Sequence, residues 1–171
     1  MTTAAKEDTV VSAMSVELGR HDWGSLATGE GTAEDVPAAM AALVAAATVE
    51  EAKHVYSETS LDNVVVVQGN VFEAAAPLVS VLCAALADDP PGPARRQVLR
   101  LLAEIVTGDV HEDEVEAGRA DLVERARELA RAGLWLFYRE LSRGPDAEYA
   151  ADILRVVETD RDRLELFLAQ K

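Results

Sequence analysis

Apolar residues recur at helical spacing along most of this chain. Leu78, Val81, Leu82 and Ala85 form one stripe and Val98, Leu101, Leu102 and Ile105 another. The stretch between them, Asp88-Asp89-Pro90-Pro91-Gly92-Pro93, can continue neither helix. The pattern predicts a helical hairpin over residues 61–106, and the rest of the chain reads as variations on it. Upstream, Val36, Met40, Leu43, Val44 and Ala47 give the stripe of a first helix. Pro37 has no N–H to donate, so that helix begins at Glu34 or Asp35 or else distorts its first turn. Thr48 with Glu51 forms a capping box for a second helix, with Ala52, Val55 and Tyr56 inward. The four β-branched residues Val64–Val67 favour strand by propensity, but a lone short strand has nothing to pair with, and they read as helix up to a stop at Gly69. Asn70 with Glu73 reads as another capping box, and Pro77 as a kink or fresh start.

Beyond the proline-rich break, a helix over about 94–107 is predicted to end at Gly108 in a left-handed stop, followed by an acidic loop over 109–117. Leu122, Ala126, Leu129, Leu136, Phe137 and Leu141 mark a long helical pattern over 120–142, with a bend or break at Gly133. Trp135 and Tyr138 adjoin that stripe and are assigned to the core. After the turn Arg143-Gly144-Pro145-Asp146 comes a helix with Ala147, Ala150, Leu154 and Val157 inward. A last short one, capped by Thr159 or Asp160, carries Leu164, Phe167 and Leu168. At the other end, residues 1–20 read as a weakly ordered segment: Val10, Val11, Met14 and Leu18 suit a short helix that nothing caps. Residues 21–171 read as one domain, its entry loop over 21–31 anchored by Trp23 and Leu26.

Alanine is abundant and aromatics make up only 5% of the chain, so small and aliphatic side chains must build the core, which suits closely approaching helices. The expected class is all-α, without a sheet. Internal repetition sharpens this. Val98-Leu99-Arg100-Leu101-Leu102 matches Ile153-Leu154-Arg155-Val156-Val157, offset by 55 (98 to 153), and Leu78–Leu82 meets Leu134–Tyr138, offset by 56 (78 to 134). Val36-Pro37 and Ala76-Pro77 open an earlier copy, offset by 40 (36 to 76). Each helix pair is too small to bury its stripe alone, so the copies must stack into a short right-handed α-solenoid of about three hairpins.

Charge narrows the partners. Acids outnumber bases 31 to 16, a net charge of -15, and such a field repels a phosphate backbone. Nucleic acid is therefore not expected; a basic protein partner, or solubility alone, fits better. The single cysteine, Cys83, lies in an apolar stripe and reads as a small core residue. The chain shows no secretory leader and no run of some eighteen apolar residues, so a cytoplasmic protein that does not enter the membrane is expected. His111 among nearby carboxylates lacks a second histidine and an ordered ligand spacing, and reads as a solvated charge run. No motif for a nucleophile, metal or phosphate site is present, so no catalytic residue, metal or cofactor is assigned.

With those residues in view, the chain resembles a bacterial group of HEAT-repeat-like proteins. The group shows a tryptophan-containing loop, a helix opening Ala-Glu-Asp-Val-Pro, a Gln-Gly turn and an aromatic-Glu-Ala segment. Here these are Trp23, Ala33-Glu34-Asp35-Val36-Pro37, Gln68-Gly69 and Phe72-Glu73-Ala74. The likeness spans roughly residues 21–157 and departs at Val64–Val67, where an aromatic or histidine would precede Gln68. It implies stacked HEAT-like hairpins that serve as protein-binding scaffolds or as immunity partners of toxins. One HEAT-like family excises damaged DNA bases, but the acidic excess argues against the positive groove such an enzyme needs.

The functional expectation is thus a non-enzymatic protein-interaction module whose concave face is lined by the second helix of each pair. Its candidate partner-binding residues are Arg96, Arg100, Tyr149, Asp152 and Arg155. Arg100 and Arg155 occupy equivalent repeat positions, with Glu104 and Asp152 near enough to pair with them. The narrower alternative is an immunity protein whose acidic surface neutralises a basic bacterial toxin.

Overall fold

A computed structural model describes residues 11–59 and 61–170, without the side chains of Asp62 and Asn63. In chain order it contains α1 (Ala13–Leu18), β1 (Ala27–Thr28), β2 (Gly31–Thr32), α2 (Val36–Ala45), α3 (Val49–Glu58), α4 (Leu61–Val65), β3 (Val66–Val67) and β4 (Asn70–Val71). There follow α5 (Ala75–Ala87), α6 (Gly92–Thr107), β5 (Asp109–Val110), α7 (Glu112–Glu116), α8 (Leu122–Arg131), α9 (Leu134–Arg143), α10 (Ala147–Val157) and α11 (Arg161–Leu168). Helix makes up 67% of the structure, about twice the share in ordinary globular domains. The protein is predominantly helical, and most positions of the expected stripes lie in its core, although Ala47 falls past the end of α2 and is exposed, with Ala46 buried in its place.

The hairpin of α5 and α6 is central. Leu78, Val81 and Leu82 of α5 and Val98, Leu101, Leu102 and Ile105 of α6 are wholly buried. Helix α6 packs against α3 and α10, the second helices of the pairs before and after it, while α5 packs against α1 and α8. The capping box at Thr48 forms as predicted, with Glu51 N donating to Thr48 Oγ1 and Thr48 N to Glu51 Oε2. At α2, Asp35 stands at the cap and Pro37 falls in the first turn, where its missing donor is harmless. Cys83 is buried as expected, and burial pushes its thiol up to about 12.

The expected absence of sheet is overturned at one corner. Val64 and Val65 end α4, but Val66–Val67 is a strand antiparallel to Asn70–Val71, which in turn runs parallel to Asp109–Val110. The partners that the β-branched run seemed to lack thus lie one turn ahead and one helical hairpin further on. Because β4 leads into α5 and β5 leaves α6, their pairing clasps the hairpin at its base. Three assignments change with it. Gly69, with a φ of 85°, turns the β3–β4 hairpin rather than stopping a helix. Asn70 and Glu73 form no capping box; α5 begins at Ala75, and Glu73 Oε2 instead accepts from the Ala27 N–H at 3.0 Å. Gly108 is extended rather than left-handed, and its small size serves contact: a Cβ there would stand 2.8 Å from the Gly69 carbonyl oxygen. A second short hairpin, β1–β2, repeats the motif, and the pairs Ala27↔Thr32 and Val66↔Val71 are offset by 39 (27 to 66).

The predicted acidic loop over 109–117 is largely ordered. After β5, His111 Nδ1 accepts from the Asp113 N–H and caps the short α7, and Glu114 turns inward to pair with Arg119. Residues 120–142 break at Gly133 into α8 and α9, where a Cβ would crowd Cys83 Sγ at 3.0 Å. Tyr138 is buried, but Trp135 is 63% exposed and not part of the core. The inward positions of α9 are Phe137, Tyr138 and Leu141, and a residue two positions before Phe137 points the opposite way on a helix. Leu129 is likewise exposed, since Leu122, Ala126 and Ala130 fill the inward face of α8.

Arginines from α8 and α9 close the ends of other helices. Arg127 donates to the Val106 carbonyl at the end of α6, Arg131 to Val157 at the end of α10, and Arg139 to Leu86 near the end of α5. Each places a positive charge at the negative end of a helix, and the Leu86 carbonyl accepts from the Asp89 N–H as well. At the chain start, α1 has the cap that its sequence seemed to lack: Ser12 Oγ accepts from Ser15 N, and the Asp88 carboxylate takes Ser12 Oγ–H, Ala13 N–H and Met14 N–H. Burial pushes the Asp88 carboxyl up, but these three donors outweigh it and hold it below its ordinary value. Residues 1–10 of the expected N-terminal segment lie outside the described residues. Asp160 caps α11, whose Leu164 is buried over the end of the helical stack.

Candidate functional site

The five candidate residues lie on α6 and α10, and the structure brings three of them into one array. The Arg96 guanidinium lies over the Tyr149 ring, 5.6 Å from its centre, and the Arg100 guanidinium lies over Tyr56 of α3 at 5.0 Å. Two cation–ring pairs thus flank α6, one toward α3 and one toward α10, each held by attraction between the cation and the face of the ring. Acids orient both arginines: Arg96 pairs with Asp146 at 2.7 Å, and Arg100 Nε donates to Glu104 Oε1 at 2.8 Å. Glu104 Oε2 in turn accepts from the Tyr56 hydroxyl at 3.0 Å. The bonded Glu104 carboxylate holds the Arg100 guanidinium above the usual arginine range. Asp152 and Arg155 stand apart, paired with each other on α10, and Arg155 is stacked on no ring among the described residues.

A cleft of about 380 Å³ opens beside these pairs, lined by Arg100, Glu104, Thr107, Gln68, Gly69 and Asp109 among others. Its lining joins α6 to the strand corner. Tyr56 is buried, as its inward position predicts, but sequence reasoning missed its place under Arg100, and it missed Asp146 and the hairpin tip at Gln68. The available signal was the tyrosine one helix before Arg100 together with the Gln-Gly pair, whose left-handed turn marks a hairpin when β-branched residues precede it.

Both arginines keep two-fifths of their side chain exposed, so the two pairs are ordered by their own rings and acids before any partner arrives. Half-exposed guanidiniums of this kind can donate to carboxylate and carbonyl oxygens and stack on aromatic rings. Among the described residues no group of three or more His, Cys, Asp or Glu side chains is placed to hold a metal, and no helix is long and apolar enough to cross a membrane. No family model, curated protein or solved structure matches this chain.

Proposed function

We propose that this chain is a short HEAT-like α-solenoid that works in the cytoplasm as a non-enzymatic protein-interaction module. A protein partner is bound along the face built by α3, α6 and α10. The observation that carries the reading is the pair of arginines on α6, Arg100 held over the buried Tyr56 ring of α3 and Arg96 over the partly exposed Tyr149 ring of α10, beside an open cleft. Tyrosine and arginine are the residues most often found to dominate protein interfaces, because each offers large area and directed polar contacts with little rotamer freedom left to lose. Pre-ordering by Glu104 and Asp146 lowers that entropic cost further. The net charge of -15 supports a basic partner, and an immunity protein that occludes a basic toxin is the narrower form of the same reading.

The test places the photo-crosslinker p-benzoylphenylalanine at Tyr149 and, separately, at Glu128 on the outer helix α8. One protein should crosslink in the host from position 149 and not from 128, and the double change Arg100→Ala plus Arg155→Ala should weaken its affinity about tenfold or more. Equal labelling from both positions, or an affinity unmoved by the double change, would place the interface elsewhere.

A further inference from the structure

The β3–β4 turn separates the cleft beside Arg100 from a second one. Gln68 and Gly69 both have positive φ, 51° and 85°, the geometry of a tight hairpin turn in which glycine is at ease and glutamine is not. Gln68 is exposed and lines both clefts. The second cleft, of about 270 Å³, is walled by Val67, Phe72, His111, Glu30 and Asp113 as well as Gln68. Phe72 and His111 stack with ring centres 4.8 Å apart and planes 27° from parallel. His111 Nδ1 accepts from the Asp113 N–H, which keeps the ring fixed as one wall. Gly29 packs so closely underneath that a Cβ would lie 2.8 Å from Val67 Cγ2 and 3.4 Å from Phe72 Cε2, so the apolar floor stays free of any side chain from position 29.

The chemistry of this cleft is one-sided. Two carboxylates stand in its lining, the Asp113 side chain being 82% exposed, and no lysine or arginine lines it. It also lies in the more acidic part of the chain. The first 90 residues hold 14 acids and three bases, Lys6, Arg20 and Lys53, a net of 3 − 14 = −11 out of the −15 of the whole. An apolar floor, a stacked aromatic wall, amide oxygens at Gln68 and Asn70 and carboxylates around them match one kind of side chain. Its stem is aliphatic and its head is a cation. A planar guanidinium suits the site best, because it stacks on a ring while its edge donates to carboxylate and amide oxygens together.

We propose that the cleft between the two strand hairpins receives an arginine or lysine side chain of the protein partner. The inference rests on the reading above that the partner is a protein, and it supplies that partner's chemistry: a basic segment that runs over the Gln68 tip.

The test uses the full chain, labelled with ¹⁵N, and three capped tripeptides, acetyl-Gly-Arg-Gly-amide and its lysine and glutamate counterparts. The arginine peptide should shift the amide signals of residues 29–31, 67–70 and 111–113, the lysine peptide the same signals more weakly, and the glutamate peptide none. Glu30→Gln plus Asp113→Asn should weaken the arginine peptide at least about fivefold, through loss of both charge-assisted bonds. Arg100→Ala should leave its affinity unchanged. Shifts scattered over the whole acidic surface, or shifts that survive the Glu30 and Asp113 changes, would overturn the assignment. Crosslinking from position 149 that persists in that event would leave the interaction module standing and remove only this cleft from it.

Discussion

Two regions of this molecule pair arginine with acid and put the pairs to different use. At the C-terminal end, Glu158 is buried with its side chain 1% exposed, and it accepts from Arg163 Nε at 2.7 Å, Arg163 Nη2 at 2.8 Å, the Tyr138 hydroxyl at 2.7 Å and the Asp160 N–H at 2.8 Å. The Arg163 bonds outweigh burial and draw the Glu158 carboxyl down to about 2, while burial and the bond to Glu158 push Tyr138 up to about 12. On the surface of α10, Arg155 and Asp152 meet once, with side chains 57% and 51% exposed. Water can replace either partner there, whereas removing Arg163 leaves the Glu158 carboxylate buried without its counter-charge. In a chain with few bases, arginine alone therefore marks no site. The number of bonds it makes and the water it keeps separate clamps from surfaces open to a partner.

The core sets the upper end of the scale. Leu102→Ala should destabilise by about 2 to 5 kcal/mol, because a wholly buried side chain in the central hairpin leaves a cavity. In a chain of 171 residues that lowers the melting temperature by roughly 4 to 20 °C. A calorimetric shift under a degree would show that the α5–α6 hairpin is not the core. Glu158→Gln comes next, at about 2 to 4 kcal/mol, since it strands Arg163 and weakens the bond from Tyr138. Its pH dependence tests the mechanism. The folded carboxyl titrates at about 2, below its ordinary value of 4.5, so its contribution is complete above about 4.5 and is lost as pH falls toward 2. The parent should lose stability relative to Glu158→Gln across that window, and parallel acid-unfolding curves for the two proteins would refute the knot as its cause.

The strand corner offers a third, smaller effect. Gly108→Ala should cost about 1 to 3 kcal/mol because its Cβ meets the Gly69 carbonyl oxygen and Val71 Cγ2, both at 2.8 Å, and backbone must move. Gly69→Ala meets no atom and should cost about 1 kcal/mol from its positive φ alone. Reversal of that order in urea titrations would mean that Gly108 stops a helix after all.

That corner also shows where legibility ended. Helical stripes, the Thr48 box, the proline break and the Gly133 break were readable because each depends on residues within one or two turns of one another. Val66–Val67 pairs with Asn70–Val71 just across the Gln68-Gly69 turn, but the third strand, Asp109–Val110, joins Asn70–Val71 from 39 positions away (70 to 109), and no local propensity reports such a partner. Trp135 was misplaced for a related reason: helical spacing fixes which residues share a face, but the burial of that face depends on what the rest of the chain brings to it. Of the candidate site, Arg100 with Glu104 and Arg155 with Asp152 were visible as i, i+4 and i, i+3 neighbours. The contacts of Arg96 with Asp146 and Tyr149 and of Arg100 with Tyr56 were not, because those partners reach the arginines from elsewhere in the chain.

The smallest effects sharpen the comparison between α6 and α10. Arg100 and Arg155 are equivalent in the repeat but not in surroundings: Arg100 has Glu104 and the face of Tyr56, whereas Arg155 has Asp152 alone among these contacts. An exposed ion pair contributes about 0.2 to 1 kcal/mol, and an exposed cation over a ring adds about 0.5 to 1. Arg100→Ala should therefore destabilise by about 1 kcal/mol and Arg155→Ala by less than about 0.5, with effects that add because the two share no partner. Arg100→Lys should recover part of the loss, since the ammonium keeps the charge near Glu104 but gives up the planar stack on Tyr56. Raising salt should shrink the Arg155 effect toward zero and leave a remainder at Arg100, because screening weakens an exposed ion pair more than contact with a ring. Equal losses at the two positions, falling together with salt, would show that the Tyr56 ring adds nothing to the ion pair and would remove the reason for treating Arg100 as a preformed contact.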